Sequence, residues 1–290
     1  MKLIVRHQTV YRYAASAGRV AMLLRLMPVD TPAQTVLDWQ VSINDAPVTG
    51  FRANGHGEME AVWIRHDGPD HAAIVAEGLV ETRETSGILG FFGNRIDPRY
   101  FLRDTPLTRA SDAIRAAALA VPEEGGALAR LHAWSAAVSD AVRYRAGVTS
   151  AATSAAEAFA LGAGVCQDHA QIFIAGARAM GLPARYVSGY LLADEDDALH
   201  ETHGWAEALA PGLGWVGFDP SNRVCVTERY LRLASGLDAD EAAPIRGSVT
   251  VAGDIAIDAD VRIAQAVDGI EERQLQRQQQ QLVPPYLQMG

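Results

Sequence analysis

The sequence predicts an α+β protein: a sandwich-like β domain first, then helices packed on an antiparallel sheet. Three observations carry this. Residues 1–90 consist of short runs rich in Val, Ile, Tyr and Trp, cut apart by turn residues. Near residue 108 the pattern changes to alanine-rich segments with helical spacing. After the last of these come a strand, a polar loop and a hairpin, so that sheet returns after helix.

Taken in order, the first strands are LIVRHQTVYRY, RVAMLLRLMP, TVLDWQVSI, EMEAVWIRH and AAIVAEGLVET. Pro28, Asn44-Asp45, Gly50, Asn54-Gly55 and Gly68-Pro69 separate them. Alternation of Leu37, Trp39, Val41 and Ile43 points one face of the third strand inward. Residues 91–107 read as a connector. TRASDAIRAAALAV is helical from Thr108 or Ser111 and stops before PEEGG, and 127–144 form a second helix. Ser154 with Glu157 has capping-box spacing and opens a short helix that ends at Gly162.

From Cys166 to Met180, apolar residues recur at Ala170, Phe173, Ile174, Ala177 and Met180, on one helical face. Gly181 suits the position after the helix, and Pro183 prevents continuation. ARYVSGYLL is then a strand, DEDDALHETH an acidic loop, and GWAEALA, PGLG and WVGFDP a hairpin. Strand-like alternation resumes after residue 247. EERQLQRQQQQLVPPYLQMG is glutamine-rich and expected to be disordered or loosely docked. The expected division is 1–106 as the N-terminal β domain, 107–247 as a helix-and-sheet domain, 248–270 as strands returning to the N-terminal domain, and 271–290 as the tail.

Composition narrows the function. A net charge of −10 and a pI near 5.2 argue against a nucleic-acid partner, which wants a basic face. No run approaches about 18 apolar residues, so no membrane span is expected. The N-terminus has charges within its apolar run rather than a signal-peptide core, which makes the cytoplasm the default location. Two cysteines make neither a disulfide framework nor a four-cysteine zinc site. No metal or cofactor is expected, and the oligomeric state is left open. Lys2 is the sole lysine, so the chain offers little amine of its own to an acyl transfer.

The two cysteines read differently. Cys166 falls in the first turn of a helix, where unpaired N–H groups and the positive dipole end favour a thiolate. Cys225, in RVCVTE, reads as a packing residue. His200 and His203 compete as the base, and Asp219 closes the hairpin that His203 opens. Positions 203 and 219 share a face of a regular antiparallel pair only if the hairpin loop holds an odd number of residues. A three- or five-residue loop, or a bulge, is therefore expected near 210–214. Asp168 reads as a structural or capping residue and His169 as a packed or exposed one. Trp205 covers the cleft wall or fills core in preference to donating to an oxyanion, and Trp215 is core. The Cys166 backbone N–H is the expected oxyanion donor. The acidic loop 194–201 is a solvated loop or a gate over the cleft.

GAGVCQDHA, GLPARYVSGYL, the HGWAE run from His203 and GWVGFDPSN together resemble the bacterial transglutaminase-like superfamily. The similarity is greatest to a branch with an N-terminal β domain whose members are described as candidate cysteine proteases. It is strong over 150–247 and weaker over RHQTVYRYAASAGRVAMLLRLMP. Two stretches depart from that pattern: Gly204, where Ala or Ser is commoner, expected to alter local rigidity, and ANGHGEME, where a Phe-Gly-Asn turn is usual.

The resemblance implies a papain-like core in which Cys166 is the nucleophile, His203 the base and Asp219 the orienting carboxylate. It implies a protein or peptide substrate whose amide is attacked to give a thioester, resolved by water or by an amine. The residues leave two rivals: arylamine acetyltransferase-like acyl transfer on the same three groups, and a non-catalytic binding module.

Overall fold

The computed structural model describes residues 1–92, 96–193 and 202–266. His200, the acidic loop 194–201 and the glutamine-rich tail lie outside these residues. Among the described residues no helix is long and apolar enough to cross a membrane.

The N-terminal strands are β1 (Lys2–Tyr13), β2 (Arg19–Met27), β3 (Gln34–Ile43), β4 (Ala46–Pro47), β5 (Arg52–Ala53), β6 (Met59–Arg65), β7 (His71–Thr82) and β8 (Ile88–Gly90). Helices follow: α1 (Asp112–Leu119), α2 (Gly126–Ala141), then β9 (Arg143–Tyr144), α3 (Ala155–Leu161), β10 (Ala163–Gly164) and α4 (Cys166–Ala179). The chain returns to sheet with β11 (Ala184–Leu191), β12 (Thr202–Ala210), β13 (Gly214–Asp219), β14 (Val224–Cys225), β15 (Tyr230–Gly236), β16 (Ile245–Thr250) and β17 (Ile255–Gln265).

Two sheets face each other in the first unit, ordered β17-β1-β7-β3-β4 and β16-β2-β6-β5. Leu3 and Val5 of β1, Val20, Met22 and Leu24 of β2, and Ile74 and Ala76 of β7 interdigitate between them, as period-2 alternation requires. The C-terminal strands close this unit rather than extending the second one: β17 pairs along β1, and β16 along β2.

One expected inward residue turns out. Leu37 is 47 % exposed, because the β3–β7 register shifts between Val36 and Asp38 and leaves Leu37 as the extra, unpaired residue. A bulge of this kind resets the alternation, and Trp39, Val41 and Ile43 still pack inward.

The second unit lays α1, α2 and α3 around α4, and α4 on a sheet ordered β14-β13-β12-β11-β15. Its sheet also takes in β8 along β13, so a strand expected to belong to the first domain serves the second. Within 91–107, Pro98–Leu102 form a 3-10 turn. The second helix ends earlier than expected, at Ala141. Arg143 and Tyr144 instead pair in parallel with Ala163 and Gly164, just ahead of α4.

Ser111 caps α1 by accepting from the Ile114 N–H. Ser154 and Glu157 form the reciprocal box that opens α3, and Gly162 closes it in the left-handed conformation. α4 is the buried axis of the unit. Phe173, Ile174 and Ala177 pack on Ala206, Ala208 and Phe218 of the sheet, and Trp134 of α2 donates to the Phe173 carbonyl at 2.9 Å.

The two units are joined by buried charge. Arg232 Nη2 lies 2.9 Å from Glu58 Oε1 of the first unit, and its Nε lies 3.0 Å from Glu207 Oε1. Arg185 Nε reaches Glu207 Oε2 at 2.6 Å, and its guanidinium sits 4.0 Å above the Trp215 ring.

Candidate active site

Cys166 is the first residue of α4, and Val165, in extended conformation, precedes it as the cap. The helix start is anchored from below by Asp168. Its Oδ2 accepts from the Val165 N–H at 2.8 Å and from Thr149 Oγ1 at 2.7 Å, a carboxylate where the dipole favours one. His169 ties the same turn to α2: Nδ1 lies 2.9 Å from the Val165 carbonyl and Nε2 2.8 Å from that of Val142. Both residues are buried and hold the helix start; capping was expected of Asp168 only. Cys166 is only half-buried. Among the described residues the backbone N–H groups of Cys166 and Gln167 have no backbone acceptor, the usual state of a first helical turn.

β12 and β13 bring the base and the carboxylate together. Ala206 pairs with Phe218 and Ala210 with Gly214, which leaves Pro211, Gly212 and Leu213 as a three-residue loop. That odd count puts residues 203 and 219 on one face, as the register condition required. His203 Nε2 lies 2.6 Å from Asp219 Oδ2, and Nδ1 is left for the sulfur. The Cys166 sulfur acts on the ring both as a hydrogen-bond partner and as a charge. Burial alone would lower the His203 pKa, but hydrogen bonds to Asp219 and Cys166, with their negative charges, raise it to about 10.

Asp219 is buried, 1 % exposed, and burial would raise its pKa. The hydrogen bond and charge of His203, with Ser221 and Asn222, bring it down to about 2 instead. Oδ1 accepts from Ser221 Oγ at 2.6 Å and from the Ser221 N–H at 3.0 Å. Oδ2 accepts from Asn222 Nδ2 at 2.7 Å and Tyr230 Oη at 2.8 Å. A buried carboxylate so surrounded is fixed in place and charged.

Sequence reasoning missed these holders. Ser221 and Asn222 were readable, since polar residues just after an Asp-Pro commonly turn back onto the aspartate. Tyr230 was not, because β15 reaches Asp219 only through its pairing beside β11.

Trp205 is buried, stacked on His203 at 6.3 Å between ring centroids and edge-on to Tyr230 at 5.4 Å. It lies in a buried cluster with Val187 and Tyr230, against the ring of the base. Trp215 lies in core with Phe101. Cys225 pairs with Phe218 at the sheet edge. Burial, and after it the charge of Glu84, raises its thiol pKa, so it packs rather than reacts. Beside the Asp219 holders a cavity of about 310 Å³ opens, lined by Leu191, Leu192, Val224 and Thr227 together with Asn222 and Tyr230. Among the described residues no three His, Cys, Asp or Glu side chains cluster as metal ligands would.

The model of the transglutaminase-like superfamily matches residues 115–220, and that of the bacterial transglutaminase-like N-terminal region matches 3–81. A protein of Mycobacterium leprae is 26 % identical over 281 residues, covering 90 % of this chain and 98 % of its own. One from Mycobacterium tuberculosis H37Rv is 38 % identical over 116 residues, 37 % of each chain. The crystal structure of a candidate cysteine protease from Cytophaga hutchinsonii superposes with a TM-score of 0.72 at 21 % identity, covering 91 % of this chain and 90 % of that one, and so shares the fold. With its N-terminal region and its core both matched in the expected order, the chain belongs to the transglutaminase-like superfamily.

Proposed function

We propose that the protein is a cysteine-dependent amide hydrolase or acyl-transferase, in which Cys166 attacks a peptide or glutamine amide. The observation that carries this reading is the His203–Asp219 contact of 2.6 Å beside a half-exposed cysteine at a helix start. At neutral pH a ring held near 10 is an imidazolium, so the resting state is a thiolate–imidazolium pair.

The thiolate adds to the carbonyl carbon, and the C=O electron pair moves onto oxygen. Free N–H groups of the first α4 turn receive that oxyanion. Collapse expels the amine, which takes the proton from His203 Nδ1 and leaves a thioester on Cys166. Acylation removes the sulfur's negative charge, one of the causes that hold the His203 pKa high, and so lowers it toward a useful base. The ring then takes a proton from water or an incoming amine, and the thiol leaves as the acid or new amide forms. Asp219, charged throughout, keeps Nε2 protonated and the ring in place.

The cavity beside Asn222 and Tyr230, with apolar walls from Leu191, Leu192 and Val224, is a fitting seat for an apolar side chain of the substrate. Hydrolysis is the form we favour.

The test is to incubate the protein with a library of glutamine-containing peptides, with and without a labelled primary amine, and read mass changes. Cleaved or deamidated peptides mean hydrolysis, and amine-labelled ones mean transfer. Either activity must vanish in Cys166→Ala. Activity that survives in that variant would remove the reading.

A further inference from the structure

The net charge of −10 is not spread evenly along the chain. Between Asp140 and Glu157 there is no acidic residue, but there are two arginines, Arg143 and Arg145. The bounding carboxylates are engaged. Asp140 Oδ1 lies 2.7 Å from Arg223 Nη1, and Glu157 Oε2 accepts from the Ser154 N–H and Oγ. Arg143 and Arg145 are both exposed, and neither guanidinium has a hydrogen bond or ion pair among the described residues. By contrast Arg65, Arg99, Arg246 and Arg262, also exposed, each pair with a nearby carboxylate.

The fold sets these two charges beside the nucleophile. The Arg143 N–H donates to the Gly162 carbonyl at 3.0 Å, and the Arg145 N–H to the Gly164 carbonyl at 2.8 Å. Arg145 is thus bonded to the residue two before Cys166. Both N–H groups turn to the same neighbour, as alternate residues of an extended run do, so the two side chains leave it on one side. Neighbouring strands lie about 4.8 Å apart, and an extended peptide advances about 3.3 Å per residue. A chain whose scissile amide sits at Cys166 therefore has its next two or three residues within range of these guanidinium groups. The carboxylates of the site itself, Asp168 and Asp219, are buried and hydrogen-bonded, so neither is open to pair with them.

We propose that Arg143 and Arg145 select substrates with carboxylate side chains close to the attacked amide, so that the preferred substrate is an acidic peptide. The inference rests on the reading of Cys166 as a nucleophile. A guanidinium pairs a carboxylate through two parallel hydrogen bonds. Two guanidinium groups rooted about 7 Å apart along the run match alternate side chains of an extended peptide. Exposed pairs of this kind change affinity by a few-fold each and weaken as salt is added.

Two probes test the proposal, and the first needs no substrate. Alkylation of Cys166 by iodoacetate, an anion, and by iodoacetamide, its neutral counterpart, is timed at pH 7 in low salt, with the Cys166 peptide quantified by mass. The iodoacetate-to-iodoacetamide rate ratio should fall about threefold in Arg143→Gln/Arg145→Gln, the effect of two charges at roughly 10 Å in water. The difference should close in about 0.5 M NaCl. The melting temperature should stay at the wild-type value, since both side chains are exposed and unpaired.

The second probe is a set of glutamine peptides with Glu, Ala or Lys on either side of the glutamine. Their kcat/KM should rank Glu above Ala above Lys, about tenfold from end to end, chiefly through KM. Arg143→Glu/Arg145→Glu should invert the order. An unchanged alkylation ratio in folded Arg143→Gln/Arg145→Gln overturns the inference, as does a peptide ranking that the charge reversal leaves in place. If no peptide is turned over, the alkylation ratio decides alone. A wild-type Cys166 that reacts with iodoacetamide only above about pH 8 overturns the nucleophile reading instead.

Discussion

His203 Nε2 meets Asp219 Oδ2 at 2.6 Å because three residues, Pro211, Gly212 and Leu213, turn the hairpin that carries both. Side chains alternate across a strand, so one residue more in that loop moves one partner to the opposite face. Inserting a glycine between Gly212 and Leu213 is therefore expected to separate the pair while keeping the sheet. Cys166 labelling at pH 6 should fall to that of an ordinary thiol, with only a modest drop in melting temperature. Unchanged labelling would mean that the contact does not serve the sulfur.

The same pair makes stability depend on pH in two windows. His203 titrates near 10 folded and near 6.5 unfolded, so its stabilisation is full below about 6.5 and is lost as pH rises toward 10. Asp219 titrates near 2 folded against 3.8 unfolded, so its stabilisation is present above about 4 and is lost as pH falls toward 2. Asp219→Asn should flatten both limbs of a denaturant-midpoint-against-pH curve and bring the His203 titration, read by NMR, down from near 10. A curve that keeps its wild-type shape would show that the two groups are uncoupled.

Glu58 joins the N-terminal sandwich to the core through Arg232 and through Ser235 Oγ at 2.6 Å. Arg185 and Arg232 share Glu207 on the other side, so neutralising Glu58 leaves two buried arginines facing one carboxylate. Glu58→Gln should cost about 3–5 kcal/mol, the range for breaking a buried pair at one end, measured by urea unfolding. A loss under about 1 kcal/mol would place this network among pairs whose desolvation cancels their attraction.

Legibility in the sequence followed the range of the interactions concerned. The α3 capping box and the α4 start at Cys166 depend on residues within a turn or two of each other, and both were readable from spacing; for the hairpin, requiring 203 and 219 on one face left a three- or five-residue loop or a bulge. The bulge that turns Leu37 outward was not, because β3 alone carries no sign of where β7 will pair with it. Ser221 and Asn222 lay within reach of local turn chemistry. Tyr230 lay beyond it, since its approach to Asp219 requires β15 to cross beside β11. Gly204 was visible as a departure from pattern, but the reason for it, the Tyr186 hydroxyl in the space a side chain would need, comes from a neighbouring strand.

The most direct measurement compares Cys166 labelling by iodoacetamide at pH 6 in the wild type and in His203→Ala. A thiolate kept by an adjacent imidazolium should react readily at that pH, and loss of the ring should slow labelling by roughly tenfold or more. Equal and slow labelling of the two proteins, rising only as pH approaches that of a free thiol, would contradict the account.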